Sequence, residues 1–527
     1  MRVAQTNPLG KILQGILLSI LMVLLALTVL IQANPGKKTP GRDYGFYVYI
    51  GDEILRGKLP YRDAWESKPP AIFYLNAAAL WLGHGSRWGV WAVEVLSLLI
   101  AEAVSFNLMK KLWGTWPALF GLLLWLYGLS RSLLGGNLTE EYPLPLHFIA
   151  LALFLKLIPN PQKRLLNFLL GLSFSLVFLF RPNNAAIEAA IILIILIAQA
   201  VQRNFRNILT HLLWIGSGAA LPLAFTALYF WSRGLLSDLL NASILYNLAY
   251  SGTQITSSSP FLYGFQMFGA GMWIALAGYF IAALQIKNAA SHGYLYLLLL
   301  IGSPMVIYLS DPAKRNYDHY YMNWLPFLAL LGGLVFYFLQ SKLLPRLKDS
   351  VNVNLAGIAI ALVLSLFYFF SNSVASDYQK VMTRVGNREK IGLDARSPIA
   401  TYVNEHTKPG DLVLFWGAYP GENFMSDRES PSAVLFYPLF VKSDISTQLD
   451  DQFLRDLKAN RPVMIVDMGD YEALSLDPIE RRKRLEAGVG WQYLPDNIDK
   501  VFAFVDQNYS RIANVKGMGV YRLKGTQ

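Results

Sequence analysis

Cysteine is absent from the 527 residues, which excludes disulfides and thiolate metal sites. Charge is scarce. Asp, Glu, Lys and Arg make up 15% of the chain, against about 25% in soluble domains. No internal repeat is found, and polar residues crowd loops rather than the middle of apolar runs. Both observations count against a transporter, where repeats and midplane sites are common. The formal charge of +11 does not call for nucleic acid, because lysine and arginine at cytoplasmic helix ends account for most of it.

What is abundant is apolar sequence, 54% of the chain. It is clustered in runs of about 17 to 23 residues, the length needed to cross ~30 Å of hydrocarbon as a helix. Full spans are expected at 13–32, 88–109, 115–133, 142–158, 165–180, 184–201, 209–231, 263–285, 293–309, 320–339 and 353–371. The first follows Arg2 and Lys11 like a signal peptide, but its apolar core is too long for one and reads as a retained anchor. A shorter run, 71–83, is decided by charge. With the N-terminus cytoplasmic and 71–83 not crossing, Lys110/Lys111, Lys163/Arg164, Arg203/Arg206, Lys287 and Lys342/Arg346/Lys348 all fall inside. If 71–83 crosses, all of them move outside, so a re-entrant or surface-lying helix is expected there. The count gives 11 spans with the C-terminus outside.

That count places loop 33–70, loop 134–141, the turn at Arg181–Asn184, loop 232–262 and loop 310–319 on one external face. After residue 371 the composition changes. SPIATYVNEH (397–406) and DQFLRDLKA (451–459) read as helices; DLVLFWG (411–417) and PVMIVDM (462–468) read as strands. A membrane domain over 1–371 and an external α/β domain over 372–527 are expected, the latter a docking or lid domain. The latter has no Gly-rich phosphate loop, and Gly517-Met518-Gly519 sits in a terminal strand context.

The segment Asp43–Pro70 carries five carboxylates, Asp43, Asp52, Glu53, Asp63 and Glu66, together with Lys68. Asp43 heads an expected helix over 44–56 ended by Gly57. Its apolar positions Phe46, Ile50 and Ile54 predict a helix lying along the membrane surface. Asp43 is either the N-cap or a catalytic carboxylate, and the two are compatible. Asp63 is a substrate contact or a partner of Arg62 or Arg56. Lys68 precedes Pro69-Pro70, which keeps it extended; it suits a phosphate at headgroup depth or is a snorkelling lysine. Glu140 and Glu141 follow Thr139, which can cap the next helix. Arg181 ends an apolar run on the external side and calls for an anionic partner. Lys314, Arg315, Asp318, His319 and Tyr320 cluster before a span. Glu94, Glu102 and Glu188 lie inside spans, as a proton path or as pairs within the bundle.

The order of these motifs resembles the C-type polytopic glycosyltransferases. An Asp follows the first span, an aromatic helix ends in L-x-G-x-x-P-Y-x-D, and K-P-P precedes the next apolar run. The R-P-N-N turn and the D-H-Y-Y-M-N-W-L-P run (318–326) are also similar to bacterial members. The protein O-mannosyltransferases (family 39) and the lipid A aminoarabinose transferases are the nearest relatives by this resemblance. It implies a GT-C-like helical membrane fold and transfer of a sugar from a polyprenyl-phosphate donor on the external face. By resemblance, Asp43 is the base and Lys68 the phosphate contact, and Glu140 or Glu141 is the second acid. Mannosyltransferases of this type carry Asp-Glu where this chain has Asp43-Tyr44, which argues against protein O-mannosylation and leaves the acceptor open.

The chemistry fits. A carboxylate deprotonates or orients the acceptor hydroxyl, and cations stabilise the phosphate leaving group. Lys68 with Arg181 or Arg315 supplies that charge, so no cofactor is required and a divalent metal is optional. Asp63, Tyr44, Asp318, His319 and Tyr320 are further candidate substrate contacts. The expected partners are the polyprenyl-phosphate sugar, an extracytoplasmic acceptor (protein, lipid or envelope glycan) and membrane lipids. The expected location is a bacterial inner membrane. The alternatives are a transporter or lipid flippase coupled through Glu94, Glu102 and Glu188, and a non-catalytic scaffold.

Overall fold

Each of the apolar runs expected to cross is helical in the computed structural model. The model describes residues 8–252, 259–286, 293–343, 350–386, 397–439, 441–469, 474–487 and 494–525. Lys287, Arg346 and Lys348, used in the charge count, and part of loop 232–262 lie outside the described residues. Among the described residues, seven helices are long and apolar enough to cross a membrane, or eight if a bent pair counts as one span. The protein is a multi-pass membrane protein.

The bent pair departs from expectation. The run 263–285 is broken into the helices Pro260–Phe268 and Ala270–Gln285, inclined at 112°. Gly269 sits at the break with φ +53°, a conformation that a Cβ disfavours. The run 71–83 forms a helix of 12 residues, Ala71–Leu82. It rises about 18 Å, too short for ~30 Å of hydrocarbon.

The described residues fold into two compact units, each built from three stretches of chain. The first comprises 1–34, 91–226 and 255–390. Its core is a single apolar cluster that includes Leu21, Trp125, Phe148, Phe154, Ile191, Leu298 and Leu325. Helices approach closely where side chains are small, as expected without a hydrophobic drive between them. A Cβ on Gly171 would run into the Ile215 carbonyl, and one on Gly218 into the Phe168 carbonyl. The helices Arg164–Phe180 and Phe205–Ser232 therefore meet backbone to backbone. Large apolar side chains such as Phe225 and Phe367, both 73% exposed, cover the outside of this unit, as lipid contact requires.

The second unit comprises 35–90, 227–254 and 391–527. Its sheet is formed by β1 (Val413–Trp416), β2 (Met464–Asp467), β3 (Tyr509–Val515) and β4 (Met518–Leu523) in the order β1-β2-β4-β3. β1 and β2 are parallel and the other pairs antiparallel. The 517–519 glycines belong to the β3–β4 hairpin, where Lys516 and Gly517 both have positive φ. The helices Pro398–His406 and Asp444–Asn460 flank the strands, each with a serine N-cap, Ser397 or Ser443. Ile399, Val403, Val413, Phe415, Met464, Val466 and Val520 fill the interior.

The 33–70 loop is built into this unit. The helix Arg42–Leu55 buries Tyr44, Phe46, Tyr47, Val48, Tyr49 and Ile50. An amphipathic helix with one covered face was expected there. Instead it is packed on two sides, because its glycines admit close neighbours. A Cβ on Gly45 would lie 2.8 Å from the Gly421 nitrogen, and one on Gly51 would lie 2.9 Å from Asn76 and the Ala77 nitrogen. The helix ends as expected near Gly57. The Lys58 amide donates to the Glu53 carbonyl and the Gly57 amide to the Ile54 carbonyl, with Gly57 at φ +88°.

Candidate active site

Three motifs far apart in sequence meet in the first unit: L-T-E-E (138–141), R-P-N-N (181–184) and D-H-Y-Y-M-N (318–323). Arg181 ends its helix in an extended conformation, and Pro182 begins a short 3-10 turn. The Asn184 side chain then donates to the Thr139 carbonyl at 2.9 Å, and Asn323 donates to the Asn184 Oδ1 at 3.0 Å. These amides fix the three segments against one another.

Within that frame Arg181 donates to Glu140. Thr139 Oγ1 donates to the other Glu140 oxygen at 2.9 Å. The Arg181 guanidinium lies over the Tyr320 ring, 3.7 Å from its centroid. His319 stacks on Tyr317 and contacts Tyr320 at 4.7 Å. Burial alone would raise the Glu140 pKa, but Arg181 and His319 hold it below its ordinary value. Glu140 is thus a buried carboxylate whose charged form Arg181 and His319 favour, and the anionic partner that Arg181 called for is Glu140 itself.

Glu141 points elsewhere. It hydrogen-bonds Glu94, while the Asn137 amide donates to Glu94 Oε1 at 2.6 Å. Gly136, at φ +83°, passes so close to Glu94 that a Cβ there would collide with its carboxyl. Burial raises the Glu141 pKa to about 7. Adjacent glutamates therefore face opposite environments, one beside a cation and one inside a carboxyl pair.

Arg315 and Asp318 are close in sequence to this cluster but have other local roles. Asp311 receives the Arg315 and Asn316 amides at 3.0 and 2.7 Å, which closes a tight loop and buries Arg315 to 5% exposure. Asp318 accepts from the Tyr263 hydroxyl at 2.6 Å. The remaining glutamates stand in separate settings. Glu188 pairs with His147 at 2.9 Å. Glu102 is fully buried, and neither carboxyl oxygen has a hydrogen-bond partner among the described residues.

In the second unit, Asp43 is the second residue of the Arg42–Leu55 helix. The N-cap is Gly41, so Asp43 does not cap. It stands half-buried in the first turn, where the helix dipole favours a negative charge. Tyr44 is buried against the Arg87 guanidinium, 5.6 Å from ring centroid to cation. Lys68 lies in a bend before Pro69-Pro70. Its carbonyl accepts from Tyr61 at 2.9 Å, and the preceding Ser67 carbonyl accepts from Asn247 at 2.7 Å. Its ammonium is 3.4 Å from Glu66. Asp63 is engaged locally, with Arg62 at 2.7 Å and the Leu59 amide at 2.8 Å. The Arg62 hydrogen bond holds Asp63 below its usual pKa.

The sequence quoted Asn184, Asn323 and Glu66 inside its motifs without assigning them. Thr139, expected to cap the next helix, does not: that helix has Pro143 as its N-cap, and the Thr139 hydroxyl donates to Glu140 instead. An amide in a motif next to a helix-breaking proline is the signal that was available. Among the described residues, no three His, Asp or Glu side chains cluster as a metal site would need.

The fold and this arrangement define the class: the chain has the GT-C fold of polytopic membrane transferases. ArnT from Cupriavidus metallidurans, in a crystal structure bound to undecaprenyl phosphate, is similar over 95% of this chain and 97% of its own, at 15% identity and a TM-score of 0.58. Its apo structure is similar over the same shares at 14% identity and a TM-score of 0.57. An oligosaccharyltransferase from Archaeoglobus fulgidus aligns over 85% of this chain and 69% of its own, at 13% identity and a TM-score of 0.49. No curated protein matches the sequence. The chain belongs to the family described as "Putative competence-induced protein Ccs4 N-terminal domain", which matches residues 7–390.

Proposed function

We propose that this protein is a membrane glycosyltransferase that moves a sugar from a polyprenyl-phosphate donor to an extracytoplasmic acceptor. The observation that carries the reading is the meeting of Glu140, Arg181, His319 and Tyr320. It occurs in a chain that shares its fold, end to end, with a structure holding undecaprenyl phosphate. A buried cation fixed by a carboxylate and an aromatic face is a preorganised counter-charge for a leaving phosphate.

The assigned roles follow from charge and position. Asp43 takes the proton of the acceptor hydroxyl as the new C1–O bond forms. The bond from C1 to the donor phosphate breaks, and polyprenyl phosphate leaves as an anion without protonation. Lys68 and Arg181 stabilise that anion. Arg181 is held in place by Glu140. Glu140 orients Arg181 and is the second acid of the site in preference to Glu141, whose carboxyl is taken up by Glu94. Arg315, Tyr44, Asp63, Asp318, His319 and Tyr320 shape the surroundings. The N-terminus is cytoplasmic, the α/β segment faces outward, and the membrane is a bacterial plasma membrane.

The test uses purified protein, radiolabelled polyprenyl-phosphate sugars and envelope extract. Asp43→Asn and Lys68→Ala are expected to lose transfer by about 10²-fold or more each at normal membrane levels. Wild-type rates in both variants would overturn the site assignment. Movement of substrate across vesicles without glycosidic bond formation would replace the reading with transport.

A further inference from the structure

The stretch from Leu236 to Ser251, in the second unit, takes no part in the chemistry proposed above. It is helical throughout. Two short α-helices, Leu236–Leu240 and Tyr246–Ser251, are joined by a π turn over Asn241–Leu245. Leu235, Leu239, Ala242, Ser243 and Tyr246 recur at helical spacing and are buried against the rest of the unit. Leu240, Leu245 and Leu248 are not covered: they stand 46%, 50% and 66% exposed. The segment is therefore apolar on its covered side and on its open side alike.

Polar groups do not explain the open side. Ser243 donates to the Leu239 carbonyl at 2.6 Å, and Asn247 donates to the Ser67 carbonyl at 2.7 Å, so both turn back into the protein. Between Asn241 and Ser251 the exposed side chains are both leucines. Asp238 is the one charged residue from 236 to 251, so no cation draws this face to an anionic partner.

The place of the segment in the chain says what covers it. The helix Phe205–Ser232 is long and apolar enough to cross a membrane. Its last turns expose Leu228 and Trp231, 62% and 68%, as a lipid-facing end with an interfacial aromatic does. Leu236 follows four positions after Ser232, which keeps it within about 14 Å of the helix end. The Leu235 amide also folds back onto the Phe230 carbonyl at 2.8 Å. The uncovered leucines thus begin at the membrane edge and continue a surface that lipid already covers.

We propose that residues 236–251 lie in the membrane–water interface, with Leu240, Leu245 and Leu248 among the acyl chains of bilayer phospholipid. The segment does not ride alone. The Tyr246 ring meets the Trp65 ring edge-on at 5.1 Å, and Asn247 holds the Ser67 carbonyl. Resting on the glycosyltransferase reading, this anchor sets the adjoining Lys68 at headgroup depth, where a donor phosphate lies.

Because the chain has no cysteine, single labels can be placed without background. Leu245→Cys and Leu248→Cys carry a bimane fluorophore in the full-length protein. Phe225→Cys, on the exposed side of the spanning helix, is the lipid reference, and the exposed Arg482→Cys is the water reference. Each is reconstituted into phosphatidylcholine nanodiscs free of polyprenyl lipid, with or without bromine on the acyl chains. The labels at 245, 248 and 225 are expected to lose fluorescence in brominated lipid and to resist aqueous iodide. The label at 482 is expected to do the reverse. Iodide quenching at 245 and 248 without lipid quenching would overturn the proposal, as would shielding from both quenchers, which a second protein on this face would give. Lipid quenching abolished by added polyprenyl phosphate would also overturn it, by giving the face to the donor chain. If both labels are quenched by lipid while Lys68→Ala transfers sugar normally, the anchor stands and the Lys68 assignment falls.

Discussion

The ion pair of Glu140 and Arg181 gives a measurable test of the first unit. The two side chains are 1% and 11% exposed, so solvent screens them little. Unit charges about 4 Å apart attract by about 4 kcal/mol at an effective dielectric near 20, and desolvation takes back part of that. Removing one partner from a buried pair typically costs about 3–5 kcal/mol. Glu140→Gln keeps the shape and removes the charge, and Arg181→Met removes the cation but keeps the stem. Each is expected to lower the thermal unfolding midpoint by several degrees. The double variant should be little worse than either, with a coupling of about 2–3 kcal/mol. Purified protein in detergent, followed by tryptophan fluorescence on heating, reads all four corners of the cycle. Additive effects, with coupling below about 0.5 kcal/mol, would refute the pairing. A pH arm checks the sign. The Glu140 pKa is lowered in the folded protein, so its contribution is present above the ordinary carboxylate pKa and is lost as pH falls through the lowered value. Wild type should lose stability on acidification below about pH 4, and Glu140→Gln should lose less.

Three further outcomes follow from the neighbouring contacts. The Glu141 pKa is raised to about 7, so its contribution is full below the unfolded value and falls as pH rises toward 7; the midpoint should drop between pH 5 and 7.5, and Glu141→Gln should flatten that slope. Gly136→Ala combines φ +83° with a collision against Glu94 and should cost about 1–3 kcal/mol, read as a lower midpoint or loss of folded protein. Tyr320→Leu removes the ring under Arg181 and should reduce transfer severalfold through about 0.5–2 kcal/mol of lost stacking; an unchanged rate would separate Tyr320 from the reaction.

The helices of the membrane part were largely legible because bilayer thickness imposes a length on apolar runs. The short Ala71–Leu82 helix was recognisable from the length of its apolar run. The break at Gly269 was not, since one glycine in an apolar run signals a bend only when neighbours require one. The surroundings of Asp43–Pro70 were also hidden. Periodicity of Phe46, Ile50 and Ile54 predicted one covered face. The second face is covered because Gly45 meets Gly421, a contact across more than 370 positions that no local pattern encodes. Asp43 shows the same limit on a small scale: its place near a helix start was readable, but whether it caps depended on Gly41 adopting the extended conformation.

Glu140 and Glu141 show how far chemistry can be read from residue type. Both follow Thr139, both are buried, and sequence spacing could not separate them. The backbone turn at 138–143 sends successive side chains in different directions. One meets the guanidinium that Pro182 leaves at a helix end; the other meets a glutamate admitted by a glycine at positive φ. Burial pushes both carboxyls toward the neutral form. Only the one with Arg181 and His319 beside it has its pKa lowered; that of the other is raised. The functional difference between two identical neighbours thus resides in Arg181 and Gly136. If both partners were removed by design, with Gly136→Ser and Arg181→Gln, the Glu140 carboxyl should be driven toward its neutral form even though both glutamates remain. Infrared carboxylate bands of wild type and variant at pH 6, with Glu140 and Glu141 each replaced by Gln in turn, would detect that loss. An ionised Glu140 band persisting in the double variant would show that position, rather than partner, sets its charge.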